Sequence, residues 1–208
     1  RHWYGYNKDA NLSGTANTAT SGNKSYGVPF DVSPQWLKYF IAKDADFAVT
    51  NMTNAEFFDF VHRSRNEYES IMGTSDPDLS RFKARNGKLL TWHGVADRLI
   101  QPNGTVEYYQ RVSDKVDSIK DFYRYFEAPG VGHCSGGVGP QPVGELEAMV
   151  KWVEQGVAPE TLSAMNKTLF GEAPRPGQSL PMRNLCLWPK MQTYNGGDPA
   201  EVESFDCV

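Results

Sequence analysis

The fold class is inferred outward from the segment GKLLTWHGVADRLI, residues 87–100. Its apolar run at residues 89–92 is short and bounded by glycines, which is typical of a buried strand. A helical pattern follows Pro102, a second apolar strand is predicted at residues 122–126, and apolar residues at helical spacing continue through residues 143–157. The order strand, helix, strand, helix predicts a parallel sheet with packed helices, so we assign the chain to the α/β class.

The N-terminal part of the chain lacks this alternation. Residues 1–30 are rich in Gly, Asn, Ser and Thr and are predicted to be loop. One helix is expected to begin at Ser33-Pro34, where a cap residue precedes a first-turn proline. Another is expected to begin at Thr53, which opens a capping box, and to bury Phe57.

We place a domain boundary near residue 85, where the helical pattern gives way to the strands. Residues 1–85 are expected to form a mainly irregular and helical domain. Residues 86–208 are expected to form the α/β domain.

The composition is that of a globular protein without a membrane span. Of the 208 residues, 39% are hydrophobic and 22% are charged. No apolar run approaches about 18 residues, the length that a membrane helix needs. The net charge is −4 and the 21 Lys and Arg residues are scattered, which argues against the basic surface that binds a nucleic-acid backbone. We therefore expect neither a membrane nor a nucleic acid as a partner.

Asn-x-Ser/Thr sequons indicate a secretory route. Five occur, against about 1.4 expected by chance from the composition. They begin at Asn11, Asn23, Asn51, Asn103 and Asn166. Polar loops produce some sequons that carry no glycan, but the excess favours a secreted, extracellular glycoprotein, in which disulfides persist.

The three cysteines cannot all pair within the chain. Cys186 and Cys207 flank a Pro- and Gly-rich C-terminal stretch, where a disulfide would staple a tail that lacks a core of its own. Cys134 is then left over, and we expect it to form an intermolecular bond.

Two loops carry the candidate catalytic residues. Asp97 lies just past the first predicted strand, and His133 lies on a glycine-rich loop past the second. Functional groups gather at the carboxyl ends of the strands in open α/β sheets. An acid followed by a histidine is also the second half of the Ser…Asp…His order of an α/β-hydrolase. In that arrangement His133 is the general base and Asp97 orients its imidazole.

Other interpretations of these residues stay open. Asp97 alone could be a turn former or a helix cap, and His133 alone could be a surface or metal-binding histidine. We assign no catalytic role to His93, which is expected to pack locally, or to His62 and His2. No metal-ligand spacing is present. No Gly-x-Ser-x-Gly elbow occurs either, so the chain has the acid and base of a triad without its nucleophile.

The chain resembles the C-terminal portion of the fungal tannase and feruloyl esterase family, over residues 76–207. The matching stretches are DPDLSRF at residues 76–82, residues 87–100, GVGHC at residues 130–134, MVKWVEQGVAPE at residues 149–160, and the Cys186…Cys207 tail. The family's catalytic pattern is a Cys-Ser dipeptide, an Asp and a His-Cys dipeptide. Asp97, His133 and Cys134 match it, while the Cys-Ser dipeptide lies outside this chain.

The resemblance implies a site shared between two chains. In the family the two cysteines are bonded, so Cys134 is implied to join a cysteine beside the nucleophilic Ser of an N-terminal partner chain. Some fungal tannases are cleaved into two disulfide-linked chains, which would account for the start at Arg1 and for the unpaired Cys134. The implied fold is the C-terminal half of an α/β-hydrolase with part of an inserted lid domain. The family's structural calcium would lie in the lid segment of the partner chain.

The implied activity is that of a tannin acyl hydrolase, a serine esterase that needs no catalytic cofactor and hydrolyses galloyl esters. The rings of Trp3, Tyr4, Phe57 and Phe58 either contact the phenolic substrate or form the lid's own core. A feruloyl esterase acting on hydroxycinnamate esters is the alternative within the family. A serine carboxypeptidase, and a catalytically inactive glycoprotein that binds a phenolic or glycan ligand, are the alternatives outside it.

Overall fold

A computed structural model describes residues 3–165 and 182–208. The chain divides into two compact units, one formed by Leu12–Asp76 and the other by residues 3–11 together with Pro77–Val208. This division falls after residue 76, whereas the expected domain boundary lies near residue 85, and residues 3–11 go with the second unit. The assignment of the units to a lid and a catalytic domain stays a prediction.

The smaller unit contains a β-hairpin where loop was predicted. Strands β1 (Asn17–Ser21) and β2 (Lys24–Val28) pair antiparallel, and Gly22 in the turn between them has a φ of +59°. The prediction of loop throughout residues 1–30 is therefore wrong for this segment. A two-residue Gly-Asn turn is a hairpin signal, but neither strand has a buried residue, so no apolar alternation marks them in the sequence.

The first predicted helix is present in this unit. Helix α1 (Val32–Trp36) begins one residue before Ser33 and follows Asp31, whose side chain makes no capping hydrogen bond. It continues into a π-helical segment, Leu37–Ala42. A single 3-10 turn, Val49–Asn51, leads to the next helix.

The second helix begins where the capping box predicts. Helix α2 (Asn54–Met72) follows Thr53, whose backbone N–H donates to the Glu56 carboxylate at 2.7 Å. The Glu56 backbone N–H donates in return to the Thr53 hydroxyl at 3.2 Å, so the capping box is confirmed. The expected burial of Phe57 is wrong, because no residue of α2 is buried in this chain and the Phe57 ring is 44% exposed.

The second unit contains the predicted order of strands and helices. The elements are α3 (Ser80–Ala84), β3 (Leu89–Gly94), α4 (Asn103–Lys115), β4 (Tyr123–Ala128) and α5 (Glu145–Gln155). Strands β3 and β4 run parallel, with Leu89 opposite Tyr123 and Gly94 opposite Ala128. Helix α5 ends at Gly156, which has a φ of +72°, a conformation that glycine adopts without strain.

Strand β4 is packed on both of its faces. Alternate residues of a strand point to opposite sides, so Tyr123 and Tyr125 share a cluster with Tyr109 of α4. The Tyr109 and Tyr123 rings lie 4.9 Å apart in an edge-to-face arrangement. Phe126 belongs to a second cluster that includes Leu185 near the C-terminus. Both faces of β4 are thus held, which fixes the position of the loop that follows it.

The C-terminal region adds antiparallel strands that the sequence did not indicate. A three-stranded sheet contains β5 (Gln141–Pro142), β6 (Thr161–Met165) and β7 (Met182–Cys186), and a two-stranded ladder contains β8 (Gln192–Tyr194) and β9 (Phe205–Cys207). A disulfide joins Cys186 to Cys207 with their Cα atoms 5.5 Å apart. This is the pairing expected from the sequence, and it ties the end of β7 to the end of β9.

The sequon asparagines within the described residues lie at the surface. They are Asn11, Asn23, Asn51 and Asn103. Asn166 lies outside the described residues, and glycosylation at all five positions stays a prediction. In the described part of the chain, no helix has both the length and the apolar character needed to cross a membrane.

Candidate active site

The parallel pairing of β3 and β4 places two loops side by side. Because the last residues of the strands, Gly94 and Ala128, are opposite each other, both loops leave the sheet at the same edge. The Val95 N–H donates to the Ala128 carbonyl at 2.9 Å, and the Ala96 N–H donates to the Val131 carbonyl at 2.9 Å. These two hydrogen bonds tie the loop that carries Asp97 to the loop that carries His133.

Gly94 allows this close approach. A Cβ atom at residue 94 would overlap the carbonyl oxygens of both Val131 and Gly132. Backbone atoms cannot move aside as the end of a flexible side chain can. Only glycine therefore fits at residue 94, where the two loops approach each other.

Asp97 is a buried carboxylate held by backbone donors. The residue is 2% exposed. Its Oδ1 atom accepts hydrogen bonds from the Leu99 N–H at 2.7 Å and the Ile100 N–H at 2.9 Å. Burial raises the pKa of Asp97, but the donors from Ile100, His133 and Leu99 outweigh burial and hold the pKa below its usual value. The residue is therefore an ionised acid in a fixed orientation.

His133 contacts the other oxygen of this carboxylate. Its Nδ1 atom lies 2.9 Å from Asp97 Oδ2. Because an ionised carboxylate only accepts, the hydrogen bond places the ring proton on Nδ1, which leaves the lone pair on Nε2. The His133 side chain is 40% exposed, whereas that of Asp97 is 3% exposed. This combination of a buried acid and a partly exposed imidazole suits a general base.

The loop that carries His133 is folded tightly on itself through its glycines. The Gly132 N–H donates to the Gly136 carbonyl at 3.0 Å, and a Cβ atom on Gly137 would overlap the Gly130 carbonyl oxygen. Cys134 follows His133 directly with a φ of +59°. It is exposed and forms no disulfide within the chain.

His93 also contacts Asp97, which the sequence analysis missed. Its Nε2 atom lies 3.2 Å from Asp97 Oδ2, and its Nδ1 atom lies 2.8 Å from the Thr105 hydroxyl. We expected His93 to pack locally, and its hydrogen-bond partners do lie within 12 residues of it in the chain. A signal was present, since His93 is the last residue before the glycine that ends the strand and Asp97 follows four positions later.

The segment of residues 3–11 contacts the loop that follows β3. The Trp3 indole N–H donates to the Gln101 side-chain oxygen at 2.6 Å, and the Asn7 side chain donates to the Val95 carbonyl at 3.0 Å. The Tyr4 ring lies against Gly104. These contacts join residues nearly 100 positions apart, so no local pattern could have predicted them.

The aromatic residues proposed for substrate contact are mostly exposed. Trp3 is 66% exposed, Phe57 is 44% exposed and Phe58 is 38% exposed. Neither substrate contact nor packing within a complete lid is decided by this exposure, and both interpretations stay predictions. Tyr4 is half-buried.

Metal ligation has no support in the described part of the chain. No group of three or more His, Cys, Asp or Glu side chains there is arranged to hold a metal ion. The predicted calcium site belongs to a different chain segment and stays a prediction.

Comparison with known proteins shows which family this chain resembles. The family described as "Tannase and feruloyl esterase" matches residues 4–208. A probable feruloyl esterase from Arthroderma benhamiae is 37% identical over 204 residues, covering 96% of this chain and 37% of the relative. A probable feruloyl esterase B-2 from Aspergillus fumigatus is 32% identical over 202 residues, covering 88% of this chain and 37% of the relative.

Solved structures of fungal proteins match the fold of this chain. An esterase from Aspergillus oryzae matches with a TM-score of 0.74 and 30% identity, over 87% of this chain and 38% of that one. A tannin acyl hydrolase from Aspergillus niger has the same fold, with a TM-score of 0.80 and 24% identity over 99% of this chain and 38% of that one. This chain spans little more than a third of the length of the proteins that it matches. It belongs to the tannase and feruloyl esterase family.

Proposed function

We propose that the protein to which this chain belongs is a secreted serine esterase that hydrolyses galloyl esters, and that this chain supplies the acid and the base of its catalytic triad. The observation that carries the proposal is the 2.9 Å hydrogen bond from His133 Nδ1 to Asp97 Oδ2. That bond leaves Nε2 of a partly exposed imidazole ready to take a proton. The family membership of the chain points to the same ester chemistry.

The proposed reaction uses His133 twice. A serine hydroxyl attacks the carbonyl carbon of the ester, and His133 Nε2 takes the hydroxyl proton. The tetrahedral intermediate collapses, and the leaving alcohol receives that proton from His133. Water then attacks the acyl-enzyme in the same way and releases the phenolic acid. Asp97 holds the imidazole in the correct tautomer and stabilises the imidazolium in both halves of the reaction.

The nucleophilic serine is proposed to lie on a partner chain from the same precursor, beside a cysteine that is bonded to Cys134. Cys134 is exposed and unpaired, while Cys186 and Cys207 are bonded to each other. A disulfide holds its Cα atoms at about 5.5 Å, so a bond at Cys134 would bring the neighbouring serine close to His133.

Two surfaces support a fold that extends beyond this chain. Within the described residues β3 pairs only with β4, so its other edge is open to a further strand. Helix α5 carries an exposed apolar stripe formed by Leu146, Val150 and Val153, which is spaced at helical intervals and so lies on one face. Both features fit the C-terminal half of an α/β-hydrolase sheet. We propose that the Leu12–Asp76 unit belongs to the inserted lid domain and the Pro77–Val208 segment to the hydrolase domain, close to the sequence-based division at residue 85.

A feruloyl esterase is the second candidate. The relatives that are 30–37% identical carry that name, and the proposed triad serves either ester equally well. The choice between gallate and hydroxycinnamate depends on the pocket that holds the acyl ring. Trp3 is a candidate for that pocket, because its ring is 66% exposed and is held beside the Asp97 loop by Gln101.

Secretion, glycosylation and the calcium ion of the partner segment complete the proposal. The exposed sequons at Asn11, Asn23, Asn51 and Asn103 support glycosylation. The Cys186–Cys207 disulfide supports an oxidising compartment. No metal ion takes part in the proposed chemistry.

The activity is tested with the full-length protein produced by secretion. Turnover of methyl gallate is compared with that of methyl ferulate, and the faster ester identifies the substrate class. His133→Ala should lower kcat by about 10⁴-fold or more without changing secretion, whereas His62→Ala, at an exposed position on α2, should leave kcat unchanged. Wild-type protein that hydrolyses neither ester contradicts the proposal.

The shared site is tested by a non-reducing gel and by mass spectrometry of the Cys134 peptide. The expected result is a disulfide from Cys134 to a peptide in which a serine follows the cysteine. A free Cys134 thiol in the secreted protein contradicts the proposed placement of the nucleophile.

A further inference from the structure

His93 is held on both of its ring nitrogens. It lies near the end of β3, and its side chain is 14% exposed. Two acceptors face Nε2, namely Asp97 Oδ2 at 3.2 Å and the Ile100 carbonyl oxygen at 3.1 Å. A carbonyl oxygen cannot donate, so Nε2 carries the proton. The Thr105 hydroxyl lies 2.8 Å from Nδ1, so both ring nitrogens of His93 have a hydrogen-bond partner.

Asp97 therefore receives four N–H donors on one buried carboxylate. The backbone N–H groups of Leu99 and Ile100 both bind Oδ1. The ring N–H groups of His93 and His133 both bind Oδ2. Because Asp97 is 2% exposed, water has little room to replace any of these donors.

We propose that His93 is a positioning residue that acts through Asp97: its Nε2–H shares Oδ2 with His133 Nδ1–H and so limits how strongly this oxygen holds the imidazolium form of His133. The inference rests on the proposed function for its catalytic consequence. Its structural part, the competition of two rings for one oxygen, rests on the geometry alone.

The physical reason is the limited accepting power of one oxygen. Each donor on a carboxylate oxygen withdraws electron density from it, so removing one donor strengthens the bond to the other. Oδ1 stays anchored by its two backbone donors, so the carboxylate keeps its place when His93 is changed. Without His93, Oδ2 should hold His133 more tightly and favour its protonated form.

Another ionisable group near His93 could also change the pH dependence, so its contribution is measured separately. Glu127 lies opposite His93 in the β3–β4 register, and burial raises the pKa of the Glu127 carboxyl. The Tyr125 hydroxyl donates to Glu127 at 3.4 Å. Asp97 contacts His93 directly, and His133 is joined to it through the same carboxylate oxygen; the exposed thiol of Cys134 follows His133 in the chain. The variant Glu127→Gln measures what Glu127 contributes to any pH dependence.

The experiment compares His93→Leu with His93→Gln in the full-length protein. Leucine removes the donor and keeps the bulk, whereas the glutamine amide can place an N–H near the position of Nε2. In His93→Leu we expect the acidic limb of the kcat/KM profile to move to higher pH by about half a unit or more, with the plateau kcat changed less than about tenfold. The Nδ1 proton of His133, observed in the downfield proton NMR spectrum and assigned by its loss in His133→Ala, should move further downfield. In His93→Gln both readouts should return towards the wild type.

The outcomes separate this proposal from the proposed function. An NMR signal and an acidic limb that stay in place in a folded His93→Leu protein overturn the role of His93, as does a shift of equal size in Glu127→Gln. If His93→Leu does not fold, an unshifted signal in a folded His93→Asn protein, whose shorter amide cannot reach Oδ2, overturns it equally. If the wild type hydrolyses no phenolic ester, the proposed function fails, and the NMR comparison still decides whether His93 shares Oδ2 with His133.

Discussion

Gly94 and Val131 are so close that a methyl group on the first would overlap the carbonyl oxygen of the second. Gly94 ends strand β3, and Val131 lies two residues before His133. Their approach is what allows the Ala96 N–H to reach the Val131 carbonyl at 2.9 Å. The distance between Asp97 and His133 thus depends on the absence of a side chain at residue 94.

Replacing Gly94 with Ala should therefore separate the two loops. We expect a loss of about 1–3 kcal/mol in the free energy of unfolding, because the added methyl group overpacks against backbone atoms that cannot move aside. We also expect the proposed esterase activity to fall. Chemical denaturation and kcat/KM on methyl gallate measure the two effects. Gly27→Ala is the matched control, because nothing lies within 4 Å of a Cβ atom at that position. An unchanged kcat/KM in Gly94→Ala would show that the close approach is not required.

Asp97 should make the stability of the protein depend on pH. Burial raises the pKa of its carboxyl, but hydrogen bonds from Ile100, His133 and Leu99 lower the pKa further, to below its usual value. Since the unfolded chain binds this proton more tightly, the stabilisation is complete above the unfolded value of about 3.9. It is lost as the pH falls through the lower folded pKa.

The variant Asp97→Asn isolates this contribution, because its amide oxygen can still accept from the backbone N–H groups. We expect the wild type to exceed the variant in unfolding free energy by the largest margin above about pH 5, and the margin to narrow below about pH 4. Thermal denaturation across this range measures it. Asp114→Asn, at an exposed position on α4, serves as the control. A margin that widens towards acid would contradict the lowered pKa.

The hydrogen bond from Asn7 to the Val95 carbonyl should support the loop that carries Asp97. Asn7→Ala removes a partly buried 3.0 Å hydrogen bond, which should cost about 1 kcal/mol of stability. Because Val95 lies two residues before Asp97, we also expect kcat to fall severalfold with little change in KM. Asn66→Ala, on the exposed surface of α2, should change neither. Equal effects in both variants would mean that the contact has no special role.

The Cys186–Cys207 disulfide should stabilise the C-terminal strands. It spans 21 residues, and a loop of this length is expected to contribute about 3 kcal/mol through the entropy of the unfolded chain. The double variant Cys186→Ser/Cys207→Ser should lower the melting temperature. The comparison is made in a Cys134→Ser background, so that only this disulfide differs between the two proteins. A melting temperature within error of the background protein would refute the prediction.

The sequence predicted the part of the fold that repeats a regular pattern. The elements β3, α4, β4 and α5 follow apolar spacing, and the positions of Asp97 and His133 after two neighbouring strands imply that they meet at one edge. The hairpin at residues 17–28 was missed because its strands bury nothing, and β5 to β9 were missed because they are two to five residues long. Short strands give too few alternations to reveal a period.

The sequence predicted the pairing of Asp97 with His133. It did not predict the residues that hold the neighbouring loop in place. Trp3 and Asn7 reach Gln101 and Val95 across 98 and 88 residues of chain, and such contacts leave no local signature. The sequence predicts no catalytic role for His93, because a histidine beside a strand is expected to pack locally. Its contact with Asp97 depends on how the intervening turn folds the chain back.

The continuous parallel register of β3 and β4 constrains the number of residues in each strand. Every pair from Leu89 and Tyr123 to Gly94 and Ala128 is matched without a bulge. Inserting or deleting one residue in either strand would offset its loop by about 3.3 Å and turn the following side chains to the opposite face. An offset of that size exceeds what the bond between Asp97 and His133 tolerates. Related chains should therefore accept many substitutions in these two strands, but almost no insertions or deletions within them.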